Sequence, residues 1–219
     1  MDALVAFAAA LLSFRLAGLL AARWRASRRP ELLAWSAGLA AYAVAAGAIA
    51  WGQAHGWDAR SFRVYYAAGG LLTAPLLGAG SLLLAGRRSA APVALMYAGL
   101  AIGISLVMPL HGTFAAHGIP DAQNHLAFLP ARLLAILANS LGTLAVVGVA
   151  LRSIRKRPVG NGLIVAGIFA AAIGSGLAGL GAAGSAIGIA VGAALLYAGF
   201  VFPMRFPAVF RPRASVNSS

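Results

Sequence analysis

Few side chains in this sequence can do chemistry, and they fall into three groups. Arg132, Asn139 and Thr143 are spaced by seven and four residues, which places them on one face of a helix with Ser140 beside it. Trp35, Tyr42 and Gln53 share a face by the same arithmetic. A polar stripe on an otherwise apolar helix points into a bundle, where it lines a ligand cavity or makes interhelical hydrogen bonds of roughly 0.6–2 kcal/mol each. If the two stripes face each other, they outline an amphipathic cavity. The third group is His55, His111, His117 and His125, which fall on the expected outer side, as do Arg60, Arg63, Asp58 and Asp121. Imidazoles ligate metals and titrate at about pH 6.5. Their spacing matches no compact metal motif, so solvated loop histidines are expected rather than a metal centre. Arg60, Arg63 and Arg132 together would suit an anion or a lipid headgroup.

Several reaction classes lack the residues they need. With no cysteine, the chain has no disulfide, thiolate metal site, iron–sulfur cluster or covalently attached c-type haem. A retinal Schiff base requires a lysine inside a span, and the single lysine, Lys156, lies between spans. Asp2, Glu31, Asp58 and Asp121 sit at segment edges, so no carboxylate relay crosses the apolar stretches. No nucleophile–base pair or HExxH site occurs within those stretches. The expectation is a protein that is not an enzyme and carries no cofactor.

The elements that position these residues are transmembrane helices. Hydrophobic residues make up 61% of the 219, with a mean hydropathy of +0.87, too little polar surface to clothe the chain in water. Apolar runs reach the roughly 20 residues that cross about 30 Å of hydrocarbon. Runs such as 137–150 are apolar on every side but the Asn139–Thr143 face, unlike the alternating strands of a barrel. The fold class is therefore all-α, a polytopic transmembrane bundle of about seven helices. Spans are placed at 3–22, 32–54, 62–85, 91–110, 128–151, 160–180 and 184–203, forming one domain over 1–204. A basic, partly disordered cytoplasmic tail occupies 205–219. Pro30, Pro92 and Pro158 fall at helix starts, where a missing N–H costs nothing. Pro75 falls inside the third span, where it should kink the helix and free a carbonyl for a neighbour or a water.

Charge assigns the sides. Arg23, Arg25, Arg28, Arg29, Arg87, Arg88, Arg152, Arg155, Lys156, Arg157, Arg205, Arg211 and Arg213 occupy alternate loops and the tail; the other loops hold Arg60, Arg63 and Arg132. Thirteen against three places the N-terminus outside and the C-terminus in the cytoplasm. The net charge of +13 then belongs to juxtamembrane clusters facing anionic lipid headgroups, and nucleic acid is not an expected partner. The first apolar run has its positive cluster after it, the reverse of a signal peptide, so it is expected to stay as a helix. Arg15 lies deep in that span, either snorkelling toward headgroups or making an interior contact. The Ala/Gly/Arg-rich composition suits a high-GC bacterium, which puts the protein in the bacterial inner membrane.

Glycines supply close packing: Gly99/Gly103 and Gly188/Gly192 are GxxxG pairs, suited to helix packing or an oligomer contact with another membrane subunit or a second copy. Arg28-Arg29-Pro30 before the second span echoes Lys156-Arg157-Pro158 before the sixth. Spans 1–3 and 5–7 would then be parallel triplets joined by span 4, a plan that resembles the SWEET and PQ-loop carriers, although the chain has no Pro-Gln pair. Residues 29–35 (Arg-Pro-Glu-Leu-Leu-Ala-Trp), 62–66 (Phe-Arg-Val-Tyr-Tyr) and 160–164 (Gly-Asn-Gly-Leu-Ile) resemble a family of small seven-helix bacterial membrane proteins that carries no assigned activity. The functional expectation is a carrier or binding bundle for a small solute or lipid-like molecule. The alternatives are a non-catalytic subunit of a larger membrane complex and a receptor-like sensor.

Overall fold

The structure, a computed structural model, describes residues 2–114, 118–126, 129–155, 158–179 and 185–201. The tail over 205–219, His117, Lys156 and Arg157 lie outside the described residues. The described chain is all-α with eight helices: α1 (Asp2–Ser27), α2 (Pro30–His55), α3 (Ala59–Leu84), α4 (Ala90–Val107), the single turn α5 (Ala122–His125), α6 (Leu129–Arg152), α7 (Pro158–Gly179) and α8 (Ser185–Val201). Five of them, α1, α2, α3, α4 and α6, are long and apolar enough to cross a bilayer. The sixth and seventh expected spans correspond to α7 and α8, whose continuous apolar stretches over the described residues are shorter, Pro158–Ala171 and Ala190–Gly199.

Local chemistry sets the turns. Arg28 takes a left-handed φ of 54° and donates its N–H to the Trp24 carbonyl, which closes α1. Pro30 then opens α2 at its first position, where the lost N–H has no partner to miss. Asp58 caps α3: its carboxylate accepts from the Ser61 N–H at 2.7 Å, and the Ser61 hydroxyl contacts the Asp58 N–H at 3.0 Å in return. At the far end of α3, Gly86 has φ 87°, with Gly86 N–H on the Leu83 carbonyl and Arg87 N–H on the Leu82 carbonyl. That pair of bonds needs a left-handed residue, which glycine supplies without a Cβ penalty.

Helix α3 changes winding in its middle. Residues Ala59–Tyr65 and Ala74–Leu84 are α-helical, and Tyr66–Thr73 between them winds as a π-helix ending two residues before Pro75. A π segment is rare, and a proline inside a helix removes the N–H that the preceding turn's carbonyls expect. Two donors from neighbouring helices answer those carbonyls, and a third bond lies within the π segment itself. Asn139 Nδ2 from α6 donates to Gly70 O at 2.6 Å, Tyr97 Oη from α4 donates to Leu71 O at 2.6 Å, and Thr73 Oγ1 donates to Ala68 O at 2.8 Å. The freed carbonyls expected at Pro75 are thus bound by two neighbouring helices, in a stretch of π winding.

Six helices close a ring in the order α1, α2, α3, α6, α7, α8 and back to α1, and α4 packs outside it against α3. The ring's contacts are backbone-close where glycine permits. A Cβ on Gly142 would run into the Ala74 carbonyl and Pro75 N, and one on Gly78 would lie 2.6 Å from Gly142 Cα, so α3 and α6 cross where neither has a side chain. In α7 and α8, a Cβ on Gly167 or Gly192 would sit 2.9 Å from backbone atoms of the other helix. Gly192 of the second GxxxG pair is therefore a packing residue. Nothing in the described chain approaches Gly99 or Gly103, which face outward on α4.

Candidate functional site

A cavity of about 710 Å³ lies inside the ring. Tyr42, Ala45, Ala46 and Ile49 of α2 form one wall, and Tyr65, Gly69, Gly70, Thr73, Ala74 and Leu77 of α3 form the next. Asn139, Ser140, Thr143, Leu144 and Val146 of α6 face them, and Ile168, Ala171 and Leu196 of α7 and α8 close the circuit. The volume is within the usual 300–1,000 Å³ of small-molecule pockets. Among the described residues its walls carry no ionisable acid or base other than tyrosine, and hydrogen-bonding side chains come from Tyr42, Tyr65, Thr73, Asn139, Ser140 and Thr143.

The π segment of α3 explains why there is room here. Gly69 and Gly70 put no side chain into the lumen, and the widened backbone turns the Gly70 carbonyl onto Asn139. Asn139 thereby joins the cavity wall to the Pro75 kink, and its Oδ1 makes no hydrogen bond with any described residue. The hydroxyls of Ser140 and Thr143 likewise make no hydrogen bond with described residues, while Thr73 spends its donor on Ala68. The cavity thus offers at least one acceptor and two hydroxyls to an occupant.

The residues singled out in the sequence separate into four places. Tyr42, Asn139 and Thr143, from both stripes, meet at the central cavity with Ser140. Trp35 lies toward the other end of α2, its ring packed so closely on Gly80 of α3 that a Cβ there would overlap it. Gln53 sits at the end of α2, where its Oε1 accepts from Gly118 N–H at 3.4 Å. Neither is a wall of the cavity. Sharing a face over eighteen residues says nothing about depth, and these three side chains of α2 are spread along some 27 Å of helix at about 1.5 Å per residue.

The three arginines do not converge. Arg63 caps α4, its Nη1 donating to the Ser105 and Leu106 carbonyls at 2.5 and 3.0 Å. Arg60 is exposed beside Asp58. Arg132 lines a second, smaller cavity of about 270 Å³ with Asp121, Gln123 and Tyr66; Tyr65 and Gly70 form a wall common to both cavities. Asp58 is held below the usual carboxylate range of 3.8 chiefly by its hydrogen bonds from Ser61, with Arg60 adding a smaller attraction.

Nor do the described histidines form one cluster. His55 stacks on Trp51 with ring centroids 4.1 Å apart and is solvent-exposed. His125 is buried, against the expectation of a solvated loop residue: it stacks on Phe114 at 4.3 Å, meets the edge of Phe62, and sits with Nδ1 3.1 Å from the His111 carbonyl. The His111 N–H returns a bond to the His125 carbonyl at 3.0 Å. These contacts fold the longest loop onto the bundle around Phe62, Tyr66, Met108 and Leu126. Among the described residues no group of three or more His, Cys, Asp or Glu could hold a metal ion.

Tyr97, Thr73 and the Gly69–Gly70 pair were not prominent as functional residues in the sequence. The usable signal was Pro75, which demands donors for the carbonyls of residues 70 and 71 and so points at glycines, hydroxyls and amides one turn upstream or on adjacent helices. Comparison with protein-family models, curated proteins and solved structures finds no match to this chain.

Proposed function

We propose that the chain is a membrane binding bundle or carrier, crossing the bilayer seven times with its N-terminus outside and C-terminus inside, and that a small molecule occupies the central cavity. The observation that carries this reading is the 710 Å³ cavity itself, with polar atoms of α2, α3 and α6 grouped on otherwise apolar walls. Grouped polar atoms on an apolar wall are the usual way a pocket fixes a ligand's orientation. Seven crossings are supported by the ring, because α7 and α8 complete the enclosure of a cavity whose other walls are long apolar helices. The arginine distribution supports the orientation.

The test of binding is native mass spectrometry of protein released from bilayer nanodiscs. Retained mass is expected on the wild-type chain, reduced at least about tenfold, or roughly 1.4 kcal/mol, by Thr143→Phe, which fills the lumen. Thr143→Val, which keeps the volume, should retain more than Thr143→Phe. No retained mass on wild type in any bilayer composition overturns the reading. Orientation is read separately with single cysteines in this cysteine-free chain: an impermeant maleimide should label Gln123→Cys in intact cells and Ser89→Cys only after permeabilisation. A second reading, an accessory subunit, is favoured by the outward Gly99/Gly103 face of α4, and a partner co-purifying through that face would support it.

A further inference from the structure

The central cavity is not sealed by equal seams. Helices α7 and α8 are interlocked at Gly167, Gly192 and Gly199, and α3 and α6 at Gly78 and Gly142, so both seams are closed at backbone distance. The seam between α6 and α7 differs. These helices are tied at their hairpin, where Asn161 Nδ2 donates to Ser153 Oγ at 2.9 Å, and among the described residues they share no other side-chain hydrogen bond. Farther along, Ser140 and Leu144 belong at once to the cavity wall and to the outer surface of the bundle, Leu144 being 67% exposed. Ile136, Leu137 and Leu141 on α6 and Phe169 and Ile173 on α7 are likewise exposed and apolar. An opening at Ser140 and Leu144, midway along α6, faces hydrocarbon rather than water.

Charge narrows what can pass. Among the described residues no Asp, Glu, Lys, Arg or His lines the cavity, so an ionised ligand would sit at bilayer depth with no counter-charge from them. At roughly 30 Å³ per water-sized group, the volume of about 710 Å³ holds about two dozen such groups. We infer that the ligand is a neutral, bilayer-dissolved amphiphile, a hydrocarbon or terpenoid body bearing a hydroxyl or carbonyl, that enters sideways between α6 and α7 and hydrogen-bonds at Asn139, Ser140 and Thr143. This inference rests on the binding function proposed above and adds the ligand's chemistry and its route.

The experiment uses the full chain in nanodiscs with three photoactivatable diazirine probes: a sixteen-carbon alcohol, the alkyl sulfonate of the same chain length, and a water-soluble neutral glycol. Labelled positions are mapped by peptide mass spectrometry. The alcohol should label cavity-lining positions of α6 and α3 saturably, in competition with unlabelled alcohol. The sulfonate should label them at least about a hundredfold less, the factor that corresponds to roughly 3 kcal/mol for a charge at mid-bilayer depth. Leu144→Trp, placed on the surface at the rim, should reduce alcohol labelling of α3, whereas Leu144→Ala should leave the route open. Saturable cavity labelling by the sulfonate at the alcohol's level overturns the neutral class. Cavity labelling by the glycol alone overturns the lateral route and the amphiphile while leaving the binding function standing. Absence of saturable cavity labelling by all three overturns both.

Discussion

Replacing Asn139 with leucine isolates the join between the cavity and the Pro75 kink. The Asn139 amide donates to Gly70 O at 2.6 Å, a carbonyl that Pro75 cannot serve because it has no N–H. Interhelical side-chain hydrogen bonds in bilayers average about 0.6 kcal/mol with a maximum near 1.7. Leaving a buried carbonyl unsatisfied costs about 1–3 kcal/mol, which raises the expectation above that average. Asn139→Leu should therefore destabilise the bundle by about 1.5–2 kcal/mol. In a Pro75→Ala background residue 75 regains its N–H and can serve the preceding turn, so the same replacement should cost only about 0.5 kcal/mol. The measurement is a double-mutant cycle, with reversible unfolding in mixed micelles followed by far-ultraviolet circular dichroism and tryptophan fluorescence. A coupling energy of about 1 kcal/mol or more is expected. If the two replacements add to within about 0.5 kcal/mol, Asn139 is not there to answer the proline, and the account of the π segment fails.

Other perturbations test neighbouring parts of the structure. Gly142→Ala places a Cβ against the Ala74 carbonyl and should destabilise by about 1–3 kcal/mol in the same unfolding assay, whereas Gly103→Ala, facing open space, should be near neutral. Tyr97→Phe removes the donor to Leu71 O and should cost about 0.5–2 kcal/mol, again less in a Pro75→Ala background. Asp58 has its folded pKa below 3.8, so its cap is at full strength above that value and weakens as pH falls through the lower, folded-state pKa. Hydrogen exchange at the first turn of α3 should rise at that pH in wild type and be fast at all pH in Asp58→Ala. His125→Ala removes the ring between Phe114 and Phe62 and should make the loop over 108–126 more susceptible to proteolysis, with little change in the melting of the helices.

Much of the architecture was legible because its causes are local. Five expected spans correspond to helices α1, α2, α3, α4 and α6 within a few residues, since length and hydropathy are properties of a window. Pro30, Pro75 and Pro158 mark two helix starts and a distortion through a missing N–H, a covalent fact. The candidate site was legible only in part. Tyr42, Asn139 and Thr143 meet because their faces and their depths both agree, whereas Trp35 and Gln53 share a face with Tyr42 and differ from it in depth. Periodicity reports angle around a helix and is silent about height in a bundle.

By itself, the sequence determined that this chain is helical, apolar, lacking thiols, and asymmetric in its placement of arginine. Each follows from composition and short-range pattern. Only the tertiary structure decided that Arg63 is spent on the end of α4, that His125 is buried among aromatics, and that Gly78 and Gly142 meet at the kink. It also decided that the ring of six helices leaves a cavity with a loose seam between α6 and α7. The physical reason is the same throughout. A hydrogen bond from Asn139 to Gly70 spans 69 positions of chain, and such pairings depend on which helices become neighbours, a choice made by packing between surfaces rather than within any one of them.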